Sequence, residues 1–296
     1  MSVKLLVLPE VSSGGNLFDK QKIMLKLGHI IYSNCFPVHA GILTGKVKFP
    51  FTVVEGIPTE LNRSLIEGKI DVSPSSSIEY ATYPGKYRIL SGLSITSRDK
   101  VMSILLESRF PLNELDKKTV ALTTASATSV VLLRVILELF TGVNPDFMLY
   151  EQGVEEPYDR ADAVLTIGDL ALKRSVSPRF PHAYDLGELW HRQTGLPFVF
   201  ALWQVNYRKA IEQDLALLAD ILMESKQYGM SRLRELADEH AAGYGIPADM
   251  LLQYWNCFSY DFGPEEQKGL LTYYGYAAEL GAIDAVPELR IWRKGA

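Results

Sequence analysis

From residue 27 to about residue 206, short apolar runs alternate with amphipathic stretches. Runs at 28–32, 51–56 and 70–74 read as strands, because each is a β-rich segment bounded by turn residues. Residues 38–43 predict a helix. So do residues 58–68, which open on Pro58 and close on Gly68, a preset first turn and a stop. Strands alternating with helices predict a parallel sheet. Ligands of such a sheet lie beyond the carboxyl ends of its strands, which puts the loops 33–37 and 73–77 on one rim.

Further β-rich runs follow at 88–96, 101–108, 119–123, 147–151 and 163–167, with helices expected over 130–140 and from 170. Residues 195–203 (GLPFVFALW) form a long apolar strand, and from Arg208 onward the pattern is almost wholly helical. The expected fold class is α/β, with two lobes, a ligand cleft between them and a helical C-terminal segment. Residues 1–26 read as a leader, 27–110 with 198–296 as the first lobe, and 111–197 as a second lobe inserted into it. The chain would cross between lobes near residues 107–109 and 198–201.

Composition narrows the classes of function. The chain has 296 residues, 47% of them hydrophobic, enough for a sizeable core. Its net charge of −5 supplies no basic face for nucleic acid. No stretch approaches the ~20 apolar residues of a membrane helix. The opening MSVKLLVLP is short for an export signal and is broken by Pro9, Glu10 and SSGGN, so a cytoplasmic protein is expected. Cys35 and Cys257 stand far apart without a C-x-x-C partner, which predicts two reduced thiols and no metal site. Phosphate-loop, dinucleotide and zinc-protease signatures are missing. The tyrosine clusters 254–260 and 273–276 fit either core or the face of a homodimer.

Several segments, in order and spacing, resemble the chorismate dehydratase family. They are Ser33-Asn34-Cys35-Phe36-Pro37, residues 68–72 running on to Ser77-Ile78-Glu79-Tyr80, residues 101–108 (VMSILLES), 120–129 and 194–203 (TGLPFVFALW), together with Ile167-Gly168-Asp169 and 260–266 (YDFGPEE). The resemblance covers residues 27–283. It implies a periplasmic-binding-protein-like fold of type II. It also implies a cofactor-free loss of water from chorismate, giving 3-[(1-carboxyvinyl)oxy]benzoate on the futalosine route to menaquinone. Ser97-Arg98-Asp99-Lys100 departs from the small Gly-containing turn usual in relatives and leaves that loop's contacts open. The alternatives are the sister 1,4-dihydroxy-6-naphthoate synthase, expected to use a histidine of its second lobe, and a non-catalytic binding protein for small anions.

Chorismate is a dianion with a hydroxyl that must leave, so its site needs carboxylate donors and a placed amide or hydroxyl. Asn34, at the end of the first strand, is the leading catalytic candidate. Its role is implied by the resemblance, against a turn Asn before Pro37. Ser103, polar inside an apolar strand, is the second; alone it would read as a buried serine bonded to backbone. Ser126, Thr128 and Ser129 stand where a strand passes into a helix, where free N–H groups cradle anions, although simple capping explains them as well. Ser76 is chosen from Ser75, Ser76 and Ser77 as the residue facing substrate. Asp169 fits either a bond to the substrate hydroxyl or a helix cap. His39, a turn into a helix, and Glu79 and Tyr80 read as structural. With no obvious base, the substrate's own carboxylate is expected to take the proton.

Overall fold

The structure, a computed structural model, describes residues 5–6, 25–206 and 212–295. Its strands are β1 (Leu5–Leu6), β2 (Lys26–Ile30), β3 (Thr52–Gly56), β4 (Val72–Ser76), β5 (Tyr87–Ser97), β6 (Ile104–Ser108), β7 (Thr119–Thr123), β8 (Asp146–Tyr150), β9 (Ala163–Ile167), β10 (His182–Asp185), β11 (Phe198–Asn206), β12 (Phe258–Ser259) and β13 (Ile291–Trp292). The helices are α1 (Phe36–Leu43), α2 (Pro58–Ile66), α3 (Ser77–Thr82), α4 (Ala127–Arg134), α5 (Gly168–Arg174), α6 (Leu186–Thr194), α7 (Glu212–Met230), α8 (Leu233–Tyr244), α9 (Ala248–Asn256) and α10 (Pro264–Glu279).

A strand that is apolar on both faces belongs in the middle of a sheet. β11 is buried at every position and lies between β4 and β5 in the larger sheet, ordered β1-β3-β2-β4-β11-β5-β12, with β13 also on β5. The second sheet runs β10-β6-β9-β7-β8. The strands β2, β3 and β4 are parallel, as crossovers through α1 and α2 require. However, β11 is antiparallel to both neighbours, and β6 is antiparallel to β9 and β10. Both sheets are therefore mixed rather than parallel. A strand returning from the other lobe enters its sheet without a crossover helix to turn it around.

Two expected boundaries move. β6 pairs in the second sheet, so the chain leaves the first sheet after Ser97 and crosses over residues 98–103, earlier than the 107–109 expected. The apolar run is interrupted there by Met102, whose φ of 61° breaks the strand. The 26/27 boundary falls inside β2, and Leu25 is fully buried, because β2 needs its first residues to pair with β3. Leu5–Leu6 add an edge strand to β3; the rest of the expected leader lies outside the described residues.

The lobes share one core. Trp190 of α6 is fully buried, with ring centroids 5.2 Å from Phe198 and 6.2 Å from both Phe140 and Tyr273. Tyr254, Tyr260, Tyr273 and Tyr274 are buried too, which assigns most of the tyrosine clusters to core rather than to a dimer face. The helical segment closes on the first lobe so tightly that a Cβ on Gly229 of α7 would lie 1.9 Å from the Pro37 carbonyl oxygen.

Because Trp190 fills the space between the lobes, Trp190→Ala should destabilise the protein by about 3–5 kcal/mol, read as a lower urea midpoint. A loss under about 1 kcal/mol would mean that this aromatic junction is not part of the cooperative core.

Candidate functional site

The carboxyl ends of β2 and β4 meet the start of β6, the β7–α4 loop and the end of β9 around a cleft with about 460 Å³ of empty space, counting its mouth. Tyr32, Asn34 and Ser76 line it from the first lobe, and Ser103, Ser126 and Ser129 from the second. Ile95, Ile104, Ile167 and Phe200 form apolar walls. Phe200 has no partner in the register between β11 and β5, which shifts between Val199 and Ala201. Such a bulge turns a side chain out of the pleat, here into the cleft. Five of the expected site residues, Asn34, Ser76, Ser103, Ser126 and Ser129, thus border one space, and of the three serines 75–77 it is Ser76 that faces it.

Asn34 sits in a 3₁₀ turn, Ser33–Cys35, whose backbone is bonded on every side. The Cys35 N–H donates to the Tyr32 carbonyl at 3.1 Å. The Trp255 indole N–H donates to the Ser33 carbonyl at 2.8 Å, and the Tyr260 hydroxyl to the Asn34 carbonyl at 2.9 Å. The Asn34 amide oxygen is buried and has no partner. The Ser103 hydroxyl is buried at the cleft with the equally buried Tyr254 hydroxyl as its neighbour, while its carbonyl accepts the Gly168 N–H at 2.8 Å. Unmade hydrogen bonds in a polar cleft are the mark of a ligand position.

At the β7–α4 junction Ser126 is the helix cap. Its hydroxyl accepts the Ser129 N–H at 3.3 Å and lies 2.9 Å from the Ser129 hydroxyl. The capping and cradle readings coincide, since both side chains border the cleft at a helix N-terminus.

Thr128 and Asp169 do not line the cleft. Thr128 is fully buried, and its hydroxyl accepts the Ile78 N–H at 3.1 Å, so it ties α4 to the start of α3 instead of facing substrate. Asp169 neither caps α5 nor reaches the cleft. Its carboxylate accepts the Ser33 N–H at 3.2 and 3.3 Å and the Ser33 hydroxyl. Burial raises its pKa, while the bonds from Ser33 and the charge of Lys173 oppose the rise.

The sequence reading missed Tyr32 and the apolar walls. Burial, followed by the charges of Asp169 and Glu60, pushes the Tyr32 phenol up to about 12, so it stays protonated. Its ring lies 3.0 Å from where a Cβ on Gly168 would sit, and Gly168 has a φ of 65°, so this position needs glycine twice over. The signal for Tyr32 was its place two residues beyond the end of β2, where it was read as strand. Among the described residues, no charged side chain lines the cleft. It offers hydroxyls, amides and a helix N-terminus.

A family model described as menaquinone biosynthesis matches residues 25–279. The chain belongs to this family. It is 35% identical over 264 residues to the chorismate dehydratase of Thermus thermophilus, covering 83% of this chain and 93% of that one. It is 31% identical over 193 residues to that of Campylobacter jejuni, covering 64% and 70%. Among solved structures, a protein of Archaeoglobus fulgidus superposes with a TM-score of 0.70 at 20% identity, over 89% of this chain and 100% of that one. The periplasmic aliphatic sulphonate binding protein of Escherichia coli follows at 0.62 and 13% identity, over 92% of each. The expected two-lobed binding-protein fold is borne out.

In this family member a buried His29–Cys35–His39 group lies beside the turn, close enough together to hold a metal ion. Its bonding does not fit one. His39 Nε2 accepts the Trp203 indole N–H at 3.2 Å, which leaves the His39 proton on Nδ1. That N–H then donates to His29 Nδ1 at 2.8 Å, occupying the two lone pairs that a metal would need. The Cys35 thiol is pushed up to about 12 by burial and is a poor thiolate ligand. His39 does not line the cleft and is no general base for it.

Burial lowers His29 to about 4 and His39, also opposed by His29, well below its usual value. An unfolded histidine protonates near 6.5, so below that pH the unfolded chain binds more protons. Stability should be full above pH 6.5 and fall toward pH 4, His29 alone removing ~3 kcal/mol. Urea midpoints of the wild type should therefore drop more steeply over this window than those of His29→Gln. Parallel slopes would show that the pair is not held neutral.

Proposed function

We propose that this chain is a chorismate dehydratase, converting chorismate to 3-[(1-carboxyvinyl)oxy]benzoate and water. The observation that carries the reading is that the unpartnered amide oxygen of Asn34 and the buried hydroxyl of Ser103 border one cleft, which no charged side chain among the described residues lines. Its relatives' activity supports the substrate.

The chemistry suits such a cleft. The ring C–H beside the enol ether breaks, and its proton passes to the enolpyruvyl carboxylate of the same molecule. The C–O bond to the neighbouring hydroxyl breaks, the new C=C completes an aromatic ring, and the hydroxide takes the proton and leaves as water. Aromatisation supplies the drive, so the protein contributes orientation and stabilisation of developing charge. Asn34 holds the leaving hydroxyl, Ser103 a carboxylate, and the Ser126–Ser129 turn with Ser76 the remaining carboxylate oxygens. Among the described residues no His, Asp or Glu lines the cleft, and Tyr32 stays protonated, which supports the substrate as its own base. The naphthoate synthase alternative finds no histidine here, since neither His182 nor His191 borders the cleft. The reading places the protein in the cytoplasm, in keeping with its two free cysteines.

Purified protein mixed with chorismate should give the enolpyruvylbenzoate, detected by chromatography with mass detection. Asn34→Ala should lower kcat by about 10²–10³-fold, as expected for loss of a donor at developing negative charge. Ser103→Ala should lower kcat/KM by about 10–100-fold, as for a lost bond to a charged group. Wild-type turnover in Asn34→Ala, or chorismate left intact by the wild type, would refute the assignment.

A further inference from the structure

The Ser33–Cys35 turn is held from two directions. The Trp255 and Tyr260 bonds come from the C-terminal segment of the first lobe, whereas Asp169 reaches in from the second lobe, 136 residues along the chain. We propose that Asp169 is a positioning residue for the dehydration: its carboxylate takes both donors of Ser33 from across the cleft and so aims the Asn34 amide at the substrate. This rests on Asn34 being the reacting-site amide.

Three observations support it. Ser33 is fully buried and presents two donors, its N–H and its hydroxyl, and both meet Asp169 Oδ1, with the N–H also within reach of Oδ2. The turn's carbonyls are taken by Trp255 and Tyr260, and the Asn34 amide oxygen is left without a partner. The preceding residue, Gly168, donates its N–H to the Ser103 carbonyl at 2.8 Å. One two-residue step at the end of β9 therefore touches the backbone beside both proposed catalytic residues, one in each lobe. The Asp169–Ser33 contact joins the lobes and exists only when they meet, so closing the cleft completes the turn. Open lobes leave Asn34 supported from one side.

The isosteric Asp169→Asn removes the charge and leaves a single acceptor oxygen beside an N–H₂ group, so it weakens the latch without removing volume. Asp169→Asn should lower kcat by about 10–100-fold and Ser33→Ala by about tenfold, the range for hydrogen bonds to a charged group, with KM within about twofold of wild type. A role confined to stability would lower the urea midpoint and leave kcat of the folded protein unchanged. The double variant should be no slower than Asp169→Asn alone, because the two residues act as one contact. Multiplying losses, or a slow Asp169→Asn beside a wild-type Ser33→Ala, would show Asp169 acting on substrate directly and overturn the inference. Should Asp169→Asn fail to fold, wild-type kcat in Ser33→Ala alone overturns it. Asn34→Ala is measured alongside. Wild-type turnover there overturns both this inference and the Asn34 assignment, whereas a slow Asn34→Ala with both latch variants at wild-type kcat overturns only this one.

Discussion

The arrangement of the lobes depends on one buried carboxylate. Asp185 ends β10 and accepts the N–H groups of Val101 and Met102 on the outgoing crossing, and those of Gly187 and Glu188 at the start of α6 on the way back. Burial raises its pKa and these four N–H groups lower it, so the charge is kept by donors that only the folded chain can collect. Met102 can hold its left-handed conformation because its N–H is bonded there. Ser103 follows at once, so the carboxylate that joins the crossings also sets where the second lobe's serine meets the first lobe's asparagine.

Around that joint the polar groups divide by whether folding satisfies them. Thr128, His29 and His39 are buried and bonded, and they stabilise the inside of the fold. The Asn34 amide oxygen is buried and left open. A buried polar group without a partner is costly, and it persists where a ligand completes it. Among the described residues the cleft is lined by neutral polar and apolar side chains rather than charged ones.

Much of this was legible in the sequence for a physical reason. Strand and helix periods, Pro58 and Gly68 as punctuation, and the position of residues just beyond strand ends are local properties. They put Asn34 and Ser76 on one rim and Ser126 and Ser129 at a strand-to-helix turn, while the family resemblance singled out Ser103. The unbroken apolar character of 198–203 likewise marked β11 as central, since only a strand covered on both faces tolerates it.

The tertiary structure alone decided what pairs over long separations. That β6 joins the second sheet depends on β9 and β10, whose contacts are invisible in residues 101–108. Thr128 and Asp169 carry the residue types of ligand contacts and sit among residues that border the cleft. What separates them is a partner 50 residues away at Ile78 and one 136 residues away at Ser33. The bulge at Phe200 and the Trp203–His39–His29 chain are likewise set by neighbouring strands. Local pattern determines which side chains reach the rim, because strand and helix periods are short. Only the meeting of two lobes determines which of those side chains find a protein partner and which are left for a ligand.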